Sequence, residues 1–416
     1  MREVRSPAAS ERIRAALLSF LAVALPLGIA VQQTALGFVV AFLAYTCWRE
    51  RRLPRSPLDR PLLLCLGALV LSTLASPDVA NSLRGYGRLW LVASFFATYH
   101  LVRERRELER LVSLMVLASA AVAAYGIVQH FTGIDLARTI VGKASDLDLV
   151  GSGPDVYRTQ GLHPSGITYA HNLLFPLTFA SALLSASVAS WRRRVSLLAG
   201  WCVMVLALIF SFTRGVWVAF ATVLVILGAV RGRGRALAAA AALGVFVFAV
   251  VSLGPAVHQR AVSTFDVAAN LGRSQIWHAN LDMIKERPLL GWGYGNYKRF
   301  RAPFYARYPA ADKTAHAHND FLQVWVDGGL VSLGAFVYLF WVIVCDGWRT
   351  YRRLPAAAEP LRSLVLGGAL AVVGFLVGGL TQYNFGDAEV VIVLWFTAGL
   401  LMRAAHLDGA PAAQRT

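Results

Sequence analysis

The residues with the clearest capacity for chemistry form the short run HAHND at 316–320. A neutral imidazole accepts a proton near pH 7, so His316 and His318 are candidate general bases. Two histidines at i and i+2 with Asp320 as a third ligand also fit a metal site. A polar helix start without chemistry is the third interpretation. Arginines on the same side of the chain favour a base, because nearby cations lower a histidine pKa and keep the ring neutral.

Two arginines, Arg214 and Arg273, lie at positions where the sequence predicts an anionic partner. Arg214 lies in the only polar break of a long apolar stretch, which predicts a turn between two helices with the arginine at the membrane boundary. A snorkelling side chain is the alternative. Arg273 opens a predicted helix that Asn270 or Ser274 caps and Pro288 ends. A phosphate ligand fits that position beside a helix N-terminus, and an exposed charge is the alternative.

Glycine and aromatic residues alternate in the run GWGYGNY at 291–297. Its glycine spacing does not fit a dinucleotide-binding loop and no βαβ pattern surrounds it, so we predict a tight turn. Trp292, Tyr294 and Tyr297 then belong to an interfacial aromatic belt or pack against sugar rings.

The chain that must position these residues has the composition of a membrane protein. Of its 416 residues, 57% are apolar and 15% charged, against roughly 25% charged in a soluble domain. Apolar runs of about 20 residues, the length that crosses a bilayer, recur from end to end. The net charge of +17 comes from short arginine clusters between these runs, which orient membrane helices. Membrane lipids are therefore expected partners and nucleic acid is not.

We predict an all-α polytopic membrane protein of about twelve transmembrane helices. Helices one to nine occupy residues 1–253, a large inserted loop with short helices occupies 254–320, helices ten to twelve occupy 321–405, and 406–416 form a cytoplasmic tail. The basic clusters flanked by spans fall on one side, which predicts that both termini are cytoplasmic. The outer side then carries the loop and a set of charged residues: Arg84, Arg88, Arg158, Arg214, Asp387 and Glu389. The two acids are candidate partners of the arginines or an alternative base.

Several motifs occur together between residues 158 and 334, in predicted spans six to ten and the large loop. They are R-x-x-G with a following Y-A (Arg158, Gly161, Tyr169 and Ala170), SFTRG (211–215), R-x-x-x-W (Arg273 and Trp277), P-x-x-G-x-G-x-x-x-Y (288–297), HAHND, and GG-L-x-x-L-G (328–334). In this combination the chain resembles the O-antigen ligase and polymerase family of bacterial envelope polysaccharide enzymes. The first five predicted spans match that family only in hydropathy.

That resemblance implies a metal-independent, inverting glycosyltransferase without a cofactor, on the periplasmic side of the bacterial inner membrane. The implied donor is a glycan on undecaprenyl pyrophosphate, and the implied acceptor of a ligase is a sugar hydroxyl of the lipid A core. By motif position, His318 resembles the general base, and Arg214 and Arg273 resemble pyrophosphate ligands. The other expected substrate-binding residues are Arg88, Arg158, Tyr294, His316 and Asn319.

Three alternatives to a ligase remain open at the level of sequence. A polymerase that joins repeat units and an oligosaccharyltransferase that acts on protein hydroxyls share the donor and differ in the acceptor. A lipid-linked oligosaccharide flippase, in which the arginines line a path, belongs to another class. A flippase tolerates His318→Ala, whereas a transferase that uses this base loses its product.

Overall fold

The described part of the protein is an all-α bundle. The computed structural model describes residues 7–51, 55–140, 147, 149, 156–186, 190–232, 244, 246, 252, 254–263, 266, 270–311 and 316–407. Within these ranges there is no β-strand. The α-helices are α1 (Pro7–Ala24), α2 (Ile29–Glu50), α3 (Asp59–Leu74), α4 (Val79–Gly85), α5 (Ala93–Leu101), α6 (Arg105–Thr132), α7 (Leu136–Ile140), α8 (Gly166–Leu184), α9 (Trp191–Phe210), α10 (Arg214–Arg231), α11 (Pro255–Val262), α12 (Leu271–Glu286), α13 (Tyr297–Phe300), α14 (Ala302–Tyr305), α15 (Asp320–Arg353), α16 (Leu361–Gly379) and α17 (Ala388–Leu407).

In the described ranges, 8 helices are long and apolar enough to cross a membrane, namely α2, α6, α8, α9, α10, α15, α16 and α17. The predicted all-α polytopic membrane fold is confirmed. The helices at the first, third and fourth predicted spans are shorter or more charged. Helix α1 begins with three charged side chains, α3 has 16 residues, and a 3₁₀ helix at Tyr86–Val92 precedes the short α5. Most of the ninth predicted span, and residues 408–416 of the predicted tail, lie outside the described residues.

Helix α16 is the centre of the bundle and packs against α8, α10 and α15. Small residues allow the close approach: a β-carbon on Gly367 would lie 3.1 Å from Ala182 Cβ in α8. Small residues are the usual means of helix association in a membrane, where lipid tails are as apolar as leucine and hydrophobicity gives no preference for protein contacts. Helix α17 packs on α5 in the same way, with Gly399 against Thr98. Because these central helices pack side by side, the segments that connect them come together at the two ends of the bundle.

At one end of the bundle the arginines are paired with glutamates. Arg14 bonds Glu107 at 2.7 Å and Arg231 bonds Glu359 at 2.8 Å. Arg105 donates to the backbone carbonyl of Glu359 at 3.0 Å. Helix α1 begins at this end, and the last turns of α17 bond the carbonyl that follows α5 there. The first and last described helices thus share one end, as the predicted topology requires.

Residues 270–311 form a small packed unit against α15. Its core contains Ile276, Met283, Trp292, Tyr297 and Phe304, all buried. The Trp292 indole N–H donates to Met283 O at 3.0 Å, and the Tyr297 and Tyr305 hydroxyls lie 2.6 Å apart. The expectation that Trp292 and Tyr297 face the membrane interface or a sugar is therefore wrong. Their apolar surface is used to hold the unit together, and only Tyr294 of the three stays half-buried.

The glycine-rich turn at 288–293 packs against a break in α15 and hydrogen-bonds to the backbone there. Gly329 interrupts the helix with φ 67° and ψ −172°, which frees backbone groups on both sides. The turn supplies their partners: Gly293 N–H donates to Asp327 O, and Leu330 N–H donates to Pro288 O, each at 2.8 Å. A side chain on residue 329 would collide with the backbone of the turn. The predicted tight turn is present, and its role is to dock the packed unit onto the broken helix.

Candidate active site

The HAHND segment is fixed by the start of α15. Asn319 is the N-cap: its Oδ1 accepts from Leu322 N–H at 2.9 Å, as N-cap side chains do. Its Nδ2 donates to Leu380 O at 2.8 Å, in the turn after α16. Both ends of the Asn319 side chain are therefore occupied by protein groups. This geometry gives Asn319 a positioning role.

His318 has a backbone conformation that a histidine rarely adopts. Its φ is 50°, in the left-handed region, which costs about 1–3 kcal/mol and persists where surrounding contacts enforce it. Its Nδ1 lies 2.7 Å from Gln382 Oε1. An amide oxygen only accepts, so Nδ1 carries the proton and the lone pair of the neutral ring is on Nε2. The neutral His318 ring thus has one defined atom for accepting a proton.

His316 lies against His318 and plays a different part. The ring centroids are 4.4 Å apart, and His318 N–H donates to His316 Nδ1 at 3.3 Å. Burial, and then the charges of His318 and Lys298, lower the pKa of His316 to about 4. His316 is therefore neutral at pH 7 and its Nδ1 lone pair is engaged by the backbone. Of the two histidines, His318 is better prepared to act as a base.

Both carboxylate oxygens of Asp320 contact protein groups and do not meet the two histidines at a common metal position. Its Oδ1 accepts from Phe385 N–H at 2.9 Å, and its Oδ2 packs against Gly379, where a β-carbon would come within 2.3 Å. In the part of the chain that the structure describes, no group of three His, Cys, Asp or Glu side chains gathers as a metal site. The metal interpretation of HAHND finds no support in this arrangement.

The SFTRG segment forms the predicted turn between two membrane helices. Helix α9 ends at Phe210 and α10 begins at Arg214. Phe212 has φ 54°, so this turn, like the HAHND segment, contains a strained residue that is not glycine. Thr213 Oγ1 donates to Gly166 O at 3.4 Å, which ties the turn to the start of α8. The prediction of a tight turn holding an arginine is confirmed.

Arg214 reaches from that turn to the segment before α12. Its Nη1 donates to Ser263 O and, at 3.0 Å, to Ser263 Oγ, while its Nη2 donates to Asn270 Oδ1 at 3.0 Å. These contacts exclude the snorkelling interpretation. Asn270 is the N-cap by position, but its side chain makes no cap bond. The amide binds Arg214 instead, so the cap predicted from the sequence is a tether between two elements.

Arg260 in α11 belongs to the same group and was not predicted from the sequence. Its Nε donates to Phe212 O at 3.3 Å, and its own carbonyl accepts from Ser263 Oγ at 2.9 Å. Burial lowers the pKa of Arg260 to about 10, with further contributions from the charges of Arg214, Arg158 and Arg273. No recognised motif contains Arg260. The available signal was its position in a short amphipathic helix on the predicted outer side.

We call Arg158, Arg214, Arg260 and Arg273 the arginine cluster. The segment with Arg158 is held at α9, where Thr159 N–H donates to Phe210 O at 3.0 Å. Burial, and then the charge of Arg214, lower the pKa of Arg273. In the described ranges no ion pair joins Arg214, Arg260 or Arg273 to a carboxylate. Like charges repel, so this arrangement suits a ligand with several negative charges.

One turn connects the arginine cluster with His318. This turn, residues 380–382, follows α16. Leu380 O binds Asn319, Gln382 Oε1 binds His318, and Thr381 packs directly on Gly215, the residue after Arg214. The arrangement brings the predicted base and the predicted anion ligands to one end of the bundle.

Arg88 and Tyr294 contact residues other than those of the arginine cluster. Arg88 Nη1 donates to Gly386 O at 3.0 Å. Tyr294 packs against Gly85, and its ring centroid is 6.4 Å from that of Tyr86. Burial, and then the charge of Asp327, raise the pKa of the Tyr294 hydroxyl. These two expected substrate-binding residues border the site and do not join the arginine cluster.

Asp387, the alternative base, lies in the 380–387 connection between α16 and α17. Its Oδ2 accepts from Thr168 Oγ1 at 3.0 Å. The pKa of Asp387 is raised to about 6, chiefly by burial; the Thr168 hydrogen bond opposes this change and the charge of Glu389 contributes to it. Neither Asp387 nor Glu389 forms an ion pair with the arginine cluster within the described residues. The interpretation of these acids as arginine partners therefore finds no support.

The fold and site together define a polytopic membrane protein with a histidine and an arginine cluster at one end. Residues 199–337 match the family described as O-antigen ligase. This region contains Arg214, Arg260, Arg273, His316 and His318. Across this region the chain is similar to that family, whose members are membrane enzymes of the glycosyltransferase type.

The chain is also similar to part of a curated protein. The chain is 31% identical over 142 residues to the exopolysaccharide production protein ExoQ of Rhizobium meliloti (strain 1021). The match covers 31% of this chain and 30% of that protein.

Proposed function

We propose that the protein is an O-antigen ligase, which moves a glycan from undecaprenyl pyrophosphate to a sugar hydroxyl of lipid A-core. One observation carries the proposal: three half-buried arginines lack carboxylate partners in the described residues, and the 380–382 turn links the residue after Arg214 to His318. A pyrophosphate supplies the several negative charges that such a cluster needs. Guanidinium groups bind phosphate oxygens through paired N–H groups, which fixes the orientation of the ligand.

In the proposed reaction the acceptor hydroxyl oxygen forms a bond to the anomeric carbon of the donor. The bond from that carbon to the pyrophosphate oxygen breaks, and its electron pair leaves with undecaprenyl pyrophosphate. His318 Nε2 takes the acceptor proton. Direct displacement inverts the anomeric carbon. The arginine cluster stabilises the charge that grows on the leaving group, and a positioned base contributes about 10²- to 10⁴-fold.

In this proposal Arg214 stabilises charge on the leaving group, and its guanidinium is held in place by protein contacts. Its contacts with Ser263 and Asn270 hold the guanidinium in one orientation, which is the preorganisation that electrostatic catalysis requires. Arg260 and Arg273 supply N–H groups that no described residue engages, apart from Arg260 Nε. Arg158 adds its charge from the segment before α8.

The proposed location is the bacterial inner membrane, with this site on the periplasmic side and both termini in the cytoplasm. The arginines that pair with glutamates lie at the end where α1 begins and α17 ends. Basic residues between spans favour the cytoplasmic side. The arginine cluster lies at the other end, where a lipid-linked donor presents its pyrophosphate at the membrane surface.

Polymerase activity is the second candidate, because the curated relative is described by exopolysaccharide production. The donor-side chemistry is the same for a ligase, a polymerase and a protein oligosaccharyltransferase. These activities differ only in the acceptor that approaches His318. A flippase needs no residue that accepts a proton, so the defined lone pair on His318 favours an enzyme.

The test is transfer by the purified full chain, with undecaprenyl-pyrophosphate glycan and lipid A-core, in the presence of a chelator. We expect glycan on lipid A-core, because the proposed chemistry uses arginines where other enzymes use a metal ion. Longer donor chains without modified lipid A-core would instead identify a polymerase. Loss of product on chelation would overturn the metal-independent mechanism.

A pair of histidine variants tests the base. His318→Ala should lower the rate of transfer by about 10²-fold or more, while His258→Ala, at an exposed position in α11, should leave it unchanged. Full activity of folded His318→Ala protein would refute the assignment of the base. Donor movement across vesicles without transfer would favour the flippase.

A further inference from the structure

We propose that Gln382 is a positioning residue that fixes the tautomer of His318. The inference rests on the proposed function, because it concerns how the proposed base is prepared. Gln382 is buried, 8% exposed, and its Oε1 lies 2.7 Å from His318 Nδ1. This hydrogen bond keeps the proton on Nδ1 and the lone pair on Nε2, the atom that must receive the acceptor proton.

Backbone hydrogen bonds around Gln382 fix the position of its side chain relative to His318. Leu380 N–H and Thr381 N–H donate to the carbonyls of Val377 and Gly378, each at 3.1 Å, so the turn continues from the end of α16. Asn319 Nδ2 then clamps Leu380 O at 2.8 Å. Leu380, two residues before Gln382, and Asn319, the residue after His318, are thus tied into the same network. The Gln382 amide has a defined position relative to the imidazole, which a mobile surface glutamine would lack.

A neutral partner suits the electrostatic surroundings of His318. His316 faces it from the same segment, and Lys298 of α13 acts on His316. Asp320 follows in the chain, with its carboxylate bonded to Phe385 N–H. Tyr383 of the 380–387 connection lies against His316, with centroids 5.7 Å apart. A carboxylate at position 382 would favour the imidazolium, which has no lone pair, whereas an amide orients the ring without charging it.

Gln382→Glu is the informative variant because it preserves shape and adds a charge. We expect the acidic limb of the kcat/KM profile to move to higher pH by about one unit or more, since an opposite charge within hydrogen-bond distance favours the imidazolium. Gln275→Glu is the matched control. Gln275 Oε1 accepts from a backbone N–H of Ala310, so its variant should leave the profile in place.

Gln382→Met tests the tautomer without a change of charge. Loss of the Nδ1 acceptor should lower kcat by about tenfold or more, while the KM for the donor stays within about twofold, because the arginine cluster is untouched. Gln382→Asn should recover part of kcat only if its shorter amide reaches Nδ1. A change confined to the KM for the donor would contradict a role in positioning the base.

A measurement on the unmodified protein keeps the inference testable if these variants fold poorly. ¹⁵N-histidine NMR of the full chain, with His318 assigned by its absence from His318→Gln, should show the Nδ1–H tautomer at neutral pH. An Nε2–H tautomer would overturn the inference. An unmoved pH profile in folded Gln382→Glu would also overturn it, and inactivity of His318→Ala would still support the proposed function. Full activity of His318→Ala would instead remove the proposed base itself.

Discussion

Gly215 and Thr381 are in such close contact that a β-carbon on residue 215 would lie 2.1 Å from Thr381 Oγ1. Gly215 follows Arg214 at the start of α10, and Thr381 lies between the two residues that bind Asn319 and His318. The contact therefore joins the proposed donor side of the site to the proposed base. A change at Gly215 should act on both without touching a substrate.

Gly215→Ala is expected to impair transfer by displacing the 380–382 turn. A displacement of about 1 Å in a catalytic group can cost about 10²-fold in rate, so we expect kcat to fall by at least tenfold. The steady-state rate and the melting temperature should be measured together. Gly334→Ala in α15 is the control, because a β-carbon there would have no described atom within 4 Å apart from its chain neighbours and the backbone of its own helix. Equal activity of the two variants would contradict the proposed coupling.

Arg260→Gln is expected to weaken the interaction with the donor. Loss of a hydrogen bond to a charged group costs about 1.5–3 kcal/mol, which predicts a rise of about 10- to 100-fold in the KM for the donor. Arg84→Gln is the charge-matched control, since Arg84 is exposed on α4. The comparison requires substrate titrations at constant ionic strength. If both variants have the same KM, Arg260 does not bind the donor.

Arg214→Lys should be nearly as poor as Arg214→Ala. An ammonium group cannot reach Ser263 and Asn270 with the two Nη positions of the guanidinium, and it binds phosphate as a point charge. We expect at least a tenfold loss in kcat/KM for the lysine variant. Asn270→Ala should give a smaller loss, since it frees only one Nη. A fully active lysine variant would indicate that charge alone suffices at this position.

Acid should destabilise the protein through His163. Burial lowers the pKa of His163 to about 4 from an ordinary value of 6.5. Below pH 6.5 the unfolded chain binds a proton that the folded protein does not, so the free energy of unfolding falls as the pH falls towards 4 and is fully recovered above 6.5. The melting temperature should therefore drop between pH 7.5 and 5.0.

His163→Phe should reduce that drop, because the new ring has a similar shape and does not titrate. His258→Phe, at an exposed position, should leave it unchanged. Thermal melts of the purified variants at the two pH values provide the comparison. A drop of the same size in all three proteins would exclude His163 as the cause.

Asn296→Ala is expected to destabilise the packed unit at 270–311. Its buried Nδ2 donates to Ser76 Oγ at 2.7 Å and Ser82 Oγ at 2.9 Å, and its Oδ1 accepts from Asn81 Nδ2 at 2.6 Å. Removing one partner leaves buried polar groups unsatisfied, at a cost of about 1–3 kcal/mol each. Unfolding in denaturant should report the loss, with the exposed Lys298→Ala as control. An unchanged midpoint would mean that water replaces these bonds.

Patterns of neighbouring residues in the sequence predicted several features of the proposed active site. The turn at Arg214 follows from the length of the apolar stretch around it, because one helix of that length cannot fit in a bilayer. His316 and His318 were identified from residue type and spacing alone. Their different roles were not, because they depend on which ring nitrogen each neighbour engages.

By itself, the sequence determined the all-α membrane class, the turn at Arg214 and the HAHND segment, since each depends on residues close together in the chain. Only the tertiary structure decided that Arg260 joins the arginine cluster and that Gln382 binds His318. It also showed that Trp292 and Tyr297 pack inside a small core. These contacts depend on how α15, α16 and the 270–311 unit dock against one another, and such docking arises from packing between distant segments that no local pattern encodes.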